Sequence, residues 1–239
     1  MSIVRYVDRI LPTQDFGSRL FDGSGSMEDR LYDVLTAFSA PFSADDLELD
    51  TPGHIGMEEM TTPPNQLAFF NALVKISGAN RILEIGTFIG KTAMRLAQMV
   101  GDGGHVTTIE AVDSFAAMAS NNFQRNGFAD KITLLRGDAG PVLDRLRGNT
   151  FDFIFIDGSK QNYLAFALKA LNLISPTGVI LVDDIFFHGD ALNSTPSTDK
   201  GRGCKETLEY FRNFDGCSKA VVPAWNGALL LFGFHKAAE

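Results

Sequence analysis

The sequence predicts an α/β domain built on a doubly wound, mostly parallel seven-stranded sheet that ends in an antiparallel hairpin. From about residue 65 onward, apolar runs of strand length alternate with helix-like segments, which is the pattern of βαβ units. These runs are almost continuously apolar, as in strands that are buried on both faces. Near the end of the chain, Asn226 and Gly227 separate two β-rich runs, an arrangement typical of a hairpin.

The alternation places each element in order. The predicted strands are 81–86, 105–110, 131–135, 151–157, 178–183, 220–225 and 228–234. The predicted helices are 67–76, 91–100, 114–126, 141–146, 163–174 and 205–214. Because helices separate the first five strands, we expect those strands to run parallel, and only the end of the sheet to be antiparallel.

The first sixty residues differ in character from the rest of the chain. They contain a Gly/Ser segment at residues 23–26 and an acidic segment at residues 45–48. Between Met27 and Phe38, apolar side chains recur at helical spacing. We therefore expect a helical and loop-rich extension over residues 1–60, and one main domain over residues 61–239.

Composition excludes several classes of protein. The 239 residues carry 21 Lys and Arg against 29 Asp and Glu, a formal net charge of −8, which argues against binding to nucleic acid or anionic lipid. No apolar stretch approaches the ~18–20 residues of a membrane span, and Arg5 and Asp8 interrupt the place of a signal peptide. Cys204 and Cys217 make neither a disulfide framework nor a zinc site. We expect a cytoplasmic protein.

Acidic residues end the predicted parallel strands. In open α/β sheets, ligands bind outside the carboxyl ends of the strands. Carboxylates at this edge suit ribose hydroxyls, amines and hard metal ions. The residues concerned are Glu84, Glu110, Asp138, Asp157, Asp183 and Asp184.

The turn after the first strand, residues 84–92, allows three interpretations. A phosphate-binding P-loop needs four residues between its glycines, but only three separate Gly86 from Gly90. A dinucleotide fingerprint needs a third glycine. An E-x-G-x-x-x-G turn of an S-adenosylmethionine site fits as written, because that cofactor has no phosphates to approach. Glu110, at the end of the next strand, can then accept from both ribose hydroxyls.

A second group of acidic residues indicates a metal site. Asp157 and Asp183 end strands that should be neighbours, and Asp184 follows directly. Three converging carboxylates repel one another unless a cation lies between them. Oxygen-only ligands favour Mg²⁺, with Mn²⁺ and Ca²⁺ as alternatives. The alternative for Asp184 is a side chain that turns to solvent.

From about residue 60 to the C-terminus, the chain resembles the cation-dependent, S-adenosylmethionine-dependent O-methyltransferases of the caffeoyl-CoA and catechol O-methyltransferase-like group. The resemblance depends on residues 83–90, residues 151–157 with Lys160 and Tyr163, and residues 182–184. It implies a Rossmann-like class I methyltransferase fold and methyl transfer to one hydroxyl of a catechol-like or other vicinal-diol small molecule. It also implies a divalent cation that positions and acidifies the acceptor, and a homodimer.

The resemblance further implies roles for individual residues. Metal ligands would be Asp157, Asp183 and Asp184, and Lys160 would act as the general base beside Asp157. Asp184 stands where the family has Asn, and Asn226 where many members have Asp. The residues implied in cofactor binding are Met60, Thr62, Glu84, Gly86, Thr87, Thr92, Glu110, Asp138, Ala139 and Asp157.

The chemistry of the reaction agrees with these assignments. A phenol is a poor nucleophile at neutral pH, and a cation that holds two adjacent oxygens would lower its pKa and fix the angle of attack. Partial desolvation near a cation is expected to lower the pKa of Lys160. Two other functions stay open: a nicotinamide-dependent oxidoreductase, which would need the third glycine, and a non-catalytic S-adenosylmethionine-binding module, which would need neither metal nor base. The sequence does not identify the acceptor.

Overall fold

The computed structural model describes residues 27–43, 46–53 and 61–234. Its strands are β1 Arg81–Ile85, β2 His105–Glu110, β3 Ile132–Arg136, β4 Phe151–Ile156, β5 Ile174–Val182, β6 Ser218–Val222 and β7 Ala228–Phe232. Its α-helices are α1 Met27–Ser43, α2 Pro64–Ser77, α3 Lys91–Met99, α4 Asp113–Arg125, α5 Ala139–Arg145, α6 Tyr163–Ala170 and α7 Asp199–Arg212. Short 3₁₀ helices cover Lys160–Asn162 and Phe187–Leu192.

The sheet has the predicted architecture. Its seven strands follow the order β3-β2-β1-β4-β5-β7-β6. Strands β1 to β5 pair in parallel, and β7 is antiparallel to both β5 and β6. The direction of winding reverses between β1 and β4, which is where α/β sheets open a crevice at the carboxyl ends of their strands.

Helices cover both faces of the sheet. On one face, α2, α3 and α4 bury a cluster in which the Phe70 ring packs against Phe153 and Phe155 on β4. On the other face, α5, α6 and α7 bury a second cluster around Ile154 and Ile156. Alternate residues of β4 therefore face opposite layers, which explains why the strand is apolar throughout.

Several predicted boundaries are wrong. Helix α6 ends at Ala170 rather than at residue 174, and strand β6 ends at Val222 rather than at residue 225. Strand β5 begins at Ile174, four residues before the predicted start, because residues 175–178 bulge out of register with β4 and let the strand continue past Pro176. Helix α7 begins at Asp199 rather than at residue 205, capped by Thr198, whose hydroxyl accepts from the Gly201 N–H at 2.9 Å. Glycine is disfavoured in the interior of a helix, so Gly201 and Gly203 obscured the first turns of this helix in the sequence. A Cβ at Gly203 would lie 2.5 Å from the Lys160 carbonyl oxygen.

The described part of the extension is helical and tied to the domain. Helix α1 contains the predicted stretch, but two of its apolar side chains, Val34 and Phe38, are 53% and 81% exposed. The acidic segment is held more firmly, since Asp46 pairs with the buried Arg95 at 2.7 Å. Asp50 pairs with Arg125 on α4 at 3.0 Å. Of the helices in the described ranges, none combines the length and the apolar character that a bilayer span requires.

Candidate active site

The turn after β1 lies directly against the end of β4. The backbone N–H of Asp157 donates to the Ile85 carbonyl at 2.9 Å. Gly86 has a φ of 102°, and a Cβ on it would lie 2.3 Å from the carbonyl oxygen of Asp157. Only glycine accommodates both conditions. The predicted cofactor turn and the first predicted metal ligand are therefore in contact.

Glu84 does not reach the surface of this edge. Its side chain is fully buried, and the Thr108 hydroxyl on β2 donates to its Oε2. Burial raises the pKa of Glu84 to about 8, opposed by the hydrogen bond from Thr108 and reinforced by the charges of Asp157 and Glu110. Within the described residues, Oε1 has no hydrogen-bond partner. A buried carboxyl oxygen of this kind fits a polar group on a bound ligand.

Glu110 braces the turn from the neighbouring strand. It is 8% exposed, and its two carboxylate oxygens accept from the backbone N–H groups of Phe88 at 2.7 Å and Val112 at 2.8 Å. Each oxygen keeps a second lone pair, so the side chain retains capacity for ribose hydroxyls. The Thr87 hydroxyl contacts the Thr108 hydroxyl, and this contact joins the turn to β2.

The remaining predicted cofactor residues lie around this turn. Thr62, before α2, and Thr92, in the first turn of α3, are joined through their hydroxyl oxygens at 3.0 Å. Asp138 caps α5 by accepting from the Gly140 N–H at 2.7 Å, and Ala139 is buried beside it. The Gly137 N–H donates to the Glu110 carbonyl at 2.8 Å, so this end of β3 adjoins the ribose acid. Met60 lies outside the described residues.

Lys160 links two of the three predicted metal ligands. Its ammonium lies 3.2 Å from Asp157 Oδ1 and 3.1 Å from Asp184 Oδ2. The lysine side chain is only 13% exposed, and its ammonium lies 5.5 Å from the centre of the Tyr163 ring. Asp184 adopts a φ of 50°, a conformation that Asp tolerates better than most residues. The pairing explains why an acidic residue is accommodated at this position.

The prediction of a lowered Lys160 pKa assumes a nearby cation, and the protein side chains alone have the opposite effect. Burial alone lowers the pKa of Lys160, but the charges of Asp157 and Asp184, with the hydrogen bonds to them, raise it above its ordinary value. The lysine is therefore protonated while both carboxylates contact it. It can accept a proton only after those contacts are lost or offset by another positive charge.

Asp183 is the most enclosed of the three carboxyl groups. It is 5% exposed, and Gln66 Nε2 on α2 donates to its Oδ1 at 2.7 Å. Burial, and after it the charges of Asp157 and Asp184, hold the pKa of Asp183 well above its ordinary value. Asp183 therefore lies within electrostatic range of the other two carboxyl groups.

The donor set fits a hard divalent cation, although its side chains are not arranged as ligands. The described residues contain no group of three or more His, Cys, Asp or Glu side chains placed to hold a metal ion. Lys160 and Gln66 occupy oxygens that a cation would need. All three acidic side chains offer oxygen, and burial, followed by the charges of Asp157 and Asp184, raises the pKa of Asp183. This chemistry suits Mg²⁺, Mn²⁺ or Ca²⁺.

Sequence reasoning missed the residues that support this group from α2 and β2. Gln66 lies 117 positions before its partner Asp183, and nothing in the local sequence links them. Asn65, its neighbour, accepts from the Trp225 indole N–H at 3.2 Å. Thr108 left a weak signal, because it is a polar residue inside a strand predicted to be buried on both faces.

Known proteins similar to this chain identify its family. A family model described as O-methyltransferase matches residues 38–227. Catechol O-methyltransferase of Mycobacterium tuberculosis is 32% identical over 157 residues, which are 64% of this chain and 71% of that protein. A probable caffeoyl-CoA O-methyltransferase of Dictyostelium discoideum is 34% identical over 190 residues, 72% of this chain and 76% of that protein.

The fold is also shared with solved structures. An O-methyltransferase from Bacillus cereus, crystallised in complex with SAH, superposes with a TM-score of 0.68 at 27% identity, covering 95% of this chain and 96% of that one. The family match extends over most of the described domain and includes the turn after β1, the end of β4 and the end of β5. The chain is therefore a member of the S-adenosylmethionine-dependent O-methyltransferase family.

Proposed function

We propose that this enzyme transfers the methyl group of S-adenosylmethionine to one hydroxyl of a catechol-like or other vicinal-diol small molecule, with the help of a divalent cation. The observation that carries the proposal is the contact between the cofactor turn and the carboxylate group, where Gly86 meets the backbone of Asp157. Methyl transfer requires donor and acceptor to be adjacent, and this contact supports adjacent sites for the cofactor and the acceptor. The names of the catechol and caffeoyl-CoA relatives support the same acceptor class.

The residues around the turn would hold the cofactor. Glu110 would accept from the ribose hydroxyls, while the hydroxyls of Thr62 and Thr92 face each other near the start of α2 and α3. Glu84 Oε1, which is buried and has no hydrogen-bond partner among the described residues, would contact a polar group of the cofactor. S-adenosylmethionine supplies a sulfonium methyl group, and the SAH complex of the Bacillus cereus relative supports its binding here.

Asp157, Asp183 and Asp184 would hold the cation, with Mg²⁺ expected and Mn²⁺ or Ca²⁺ as alternatives. A bound divalent cation would acidify the acceptor hydroxyl and fix two adjacent oxygens. Lys160 would take the proton of that hydroxyl at Nζ. Because its raised pKa comes from Asp157 and Asp184, Lys160 becomes a base only when those carboxylates no longer stabilise its charge. The carboxylates therefore control when the lysine can act.

The test is a methylation assay on purified, chelated protein. It is supplied with S-adenosylmethionine, a panel of catechols and non-vicinal phenols, and Mg²⁺, Mn²⁺ or Ca²⁺, and the products are analysed by mass spectrometry. We expect monomethylated catechols only when a cation is added. Methylation at full rate without a cation would contradict the metal assignment. Absence of any methylated acceptor, in protein that binds SAH by calorimetry, would favour a non-catalytic binding module instead.

A homodimer in the cytoplasm is also proposed. Val34 and Phe38 on α1 and Ile76 on α2 are exposed apolar side chains on two helices that pack together, and a second copy would bury them. Light scattering on the purified protein measures the mass directly. Replacing Phe38 and Ile76 by serine should then shift a dimer to monomer. A dimer that both substitutions leave intact would place the interface elsewhere.

A further inference from the structure

Trp225 occupies a conformation that disfavours its own side chain. It lies in the connection between β6 and β7, where the Gly227 N–H donates to the Ala224 carbonyl at 2.7 Å. Its φ is 57°, at the first central position of this turn, where glycine is preferred. Asn226 follows it and is not among the residues with positive φ, although Asn tolerates that conformation better. Backbone strain of this kind persists where the surroundings impose it, and it clusters at functional sites.

The indole ring is fixed from one side by α2. Its Nε1–H donates to Asn65 Oδ1 at 3.2 Å, and its ring centroid lies 5.8 Å from that of Phe69 at an interplanar angle of 37°. The residue is nevertheless only partly buried. A partly exposed residue whose ring is held by two contacts can offer an aromatic face to a ligand at little entropic cost.

This surface lies at the edge of the sheet that carries the carboxylates. Strand β7 places Leu229 opposite Val182, the last residue of β5, so the connection before β7 lies beside Asp183. The Ile185 N–H donates to the Gly227 carbonyl at 3.0 Å and the Phe186 N–H to the Asn226 carbonyl at 2.8 Å. From the other direction, Asn65 precedes Gln66, whose amide donates to Asp183.

We infer that Trp225 is a specificity-determining residue that stacks on the aromatic ring of the acceptor while the acceptor hydroxyls face the carboxylates. The inference rests on the proposed function and deepens it, because it selects flat aromatic acceptors over other vicinal diols. Rings prefer offset or edge-to-face contact with one another, which a rigid indole provides. Asn65 acts as a positioning residue through its hydrogen bond to the indole.

The chain contains one tryptophan, so its fluorescence reports on this position alone. Catechol is titrated into protein saturated with SAH and Mg²⁺, with calorimetry as an independent measure of binding. We expect saturable quenching of the tryptophan emission with the dissociation constant that calorimetry gives. A non-aromatic vicinal diol should leave the emission unchanged.

Steady-state kinetics give a second measure. Trp225→Gly relieves the positive φ and removes the ring, and Trp225→Phe keeps an aromatic face. We expect Trp225→Gly to raise the KM for catechol about two- to tenfold, Trp225→Phe to raise it less, and both to leave the KM for S-adenosylmethionine unchanged. The catechol KM of Asn65→Ala should lie between those of Trp225→Phe and Trp225→Gly. The matched control is Phe232→Leu, an exposed aromatic residue at the far end of the same hairpin, which should leave the catechol KM unaltered.

The outcomes separate the two proposals. Catechol that binds by calorimetry without quenching the emission, together with a catechol KM that Trp225→Gly does not change, overturns this inference and leaves the proposed function standing. Absence of methylation of every vicinal diol tested overturns the proposed function, and this inference with it.

Discussion

Glu84→Gln should remove a pH dependence of stability that the wild-type protein shows between about pH 4.5 and 8. Glu84 is fully buried on β1, and burial raises its pKa from 4.5 to about 8. A carboxyl group whose pKa is raised by folding binds a proton more tightly in the folded state. Its contribution to stability is therefore complete below the lower pKa and is lost as the pH rises through the higher one.

The magnitude follows from the size of the shift. A rise from 4.5 to about 8, at about 1.36 kcal/mol per unit, makes the wild type about 5 kcal/mol less stable at pH 9 than at pH 4, other groups being equal. Glutamine keeps the acceptor for Thr108 but cannot ionise. Its amide N–H groups lack a partner, so the absolute stability of the variant is not the useful measure. The useful measure is the difference between the pH profiles of the wild type and the Glu84→Gln variant.

Urea denaturation at several pH values between 5 and 9 provides that difference. We expect the free energy of unfolding of Glu84→Gln, relative to wild type, to become more favourable by several kcal/mol across this range. Glu209→Gln, at an exposed carboxylate on α7, is the matched control and should show no such trend. Parallel profiles for wild type and Glu84→Gln would mean that Glu84 is ionised in the folded protein, and the account of its burial would be refuted.

Four further outcomes are expected. Gly86→Ala should destabilise the protein by about 2–5 kcal/mol in thermal or urea unfolding, since a Cβ would lie 2.3 Å from the Asp157 carbonyl oxygen at a φ of 102°; a loss below 1 kcal/mol would show that the turn relaxes freely. Glu110→Ala should weaken S-adenosylmethionine binding roughly ten- to a hundredfold by calorimetry, and Glu110→Gln should weaken it less; unchanged affinity in folded protein would place the ribose elsewhere. Asp157→Ala should be nearly inactive yet bind the cofactor. Chelation should abolish the activity of the wild type, and Mg²⁺ should restore it. Full activity of the Asp157→Ala variant or of the chelated wild type would remove the metal site. Asp184→Asn should lower the pKa of Lys160 by removing one of its two carboxylate partners, and so move the rising limb of the pH–rate profile to lower pH, provided that metal stays bound; an unmoved limb would exclude Lys160 as the base.

The fold was predictable because its signals are local. Apolar runs and the helices between them place β1 to β5, and the Asn-Gly pair marks the hairpin. The errors occur where distant contacts decide the outcome. Strand β5 continues past Pro176 through a bulge against β4. Helix α7 needs glycine at position 203, because a Cβ there would lie 2.5 Å from the Lys160 carbonyl oxygen. No local pattern reports either contact.

The placement of the acidic residues at one edge of the sheet was predictable, and the partners of their side chains were not. A residue at the end of a parallel strand must lie at one edge of the sheet, so Glu110, Asp157 and Asp183 could be grouped from strand positions alone. The side chains that hold them come from other elements, as Gln66 does for Asp183. The separation of 117 positions between Gln66 and Asp183 along the chain hides this contact from sequence patterns.

Charge explains why the metal site and the base should depend on each other. Lys160 contacts Asp157 and Asp184 together, so its ammonium takes a position between carboxylates that a cation would also neutralise. Had Asn stood at position 184, one of those two contacts would be to a neutral group and the lysine would be less firmly protonated. Asp184 therefore favours both positive charges that can occupy this position. It attracts a divalent cation more strongly than Asn would, and it keeps Lys160 protonated until a divalent cation neutralises the carboxylates. Proton acceptance by Lys160 should consequently depend on cation concentration more steeply here than in an Asp184→Asn variant.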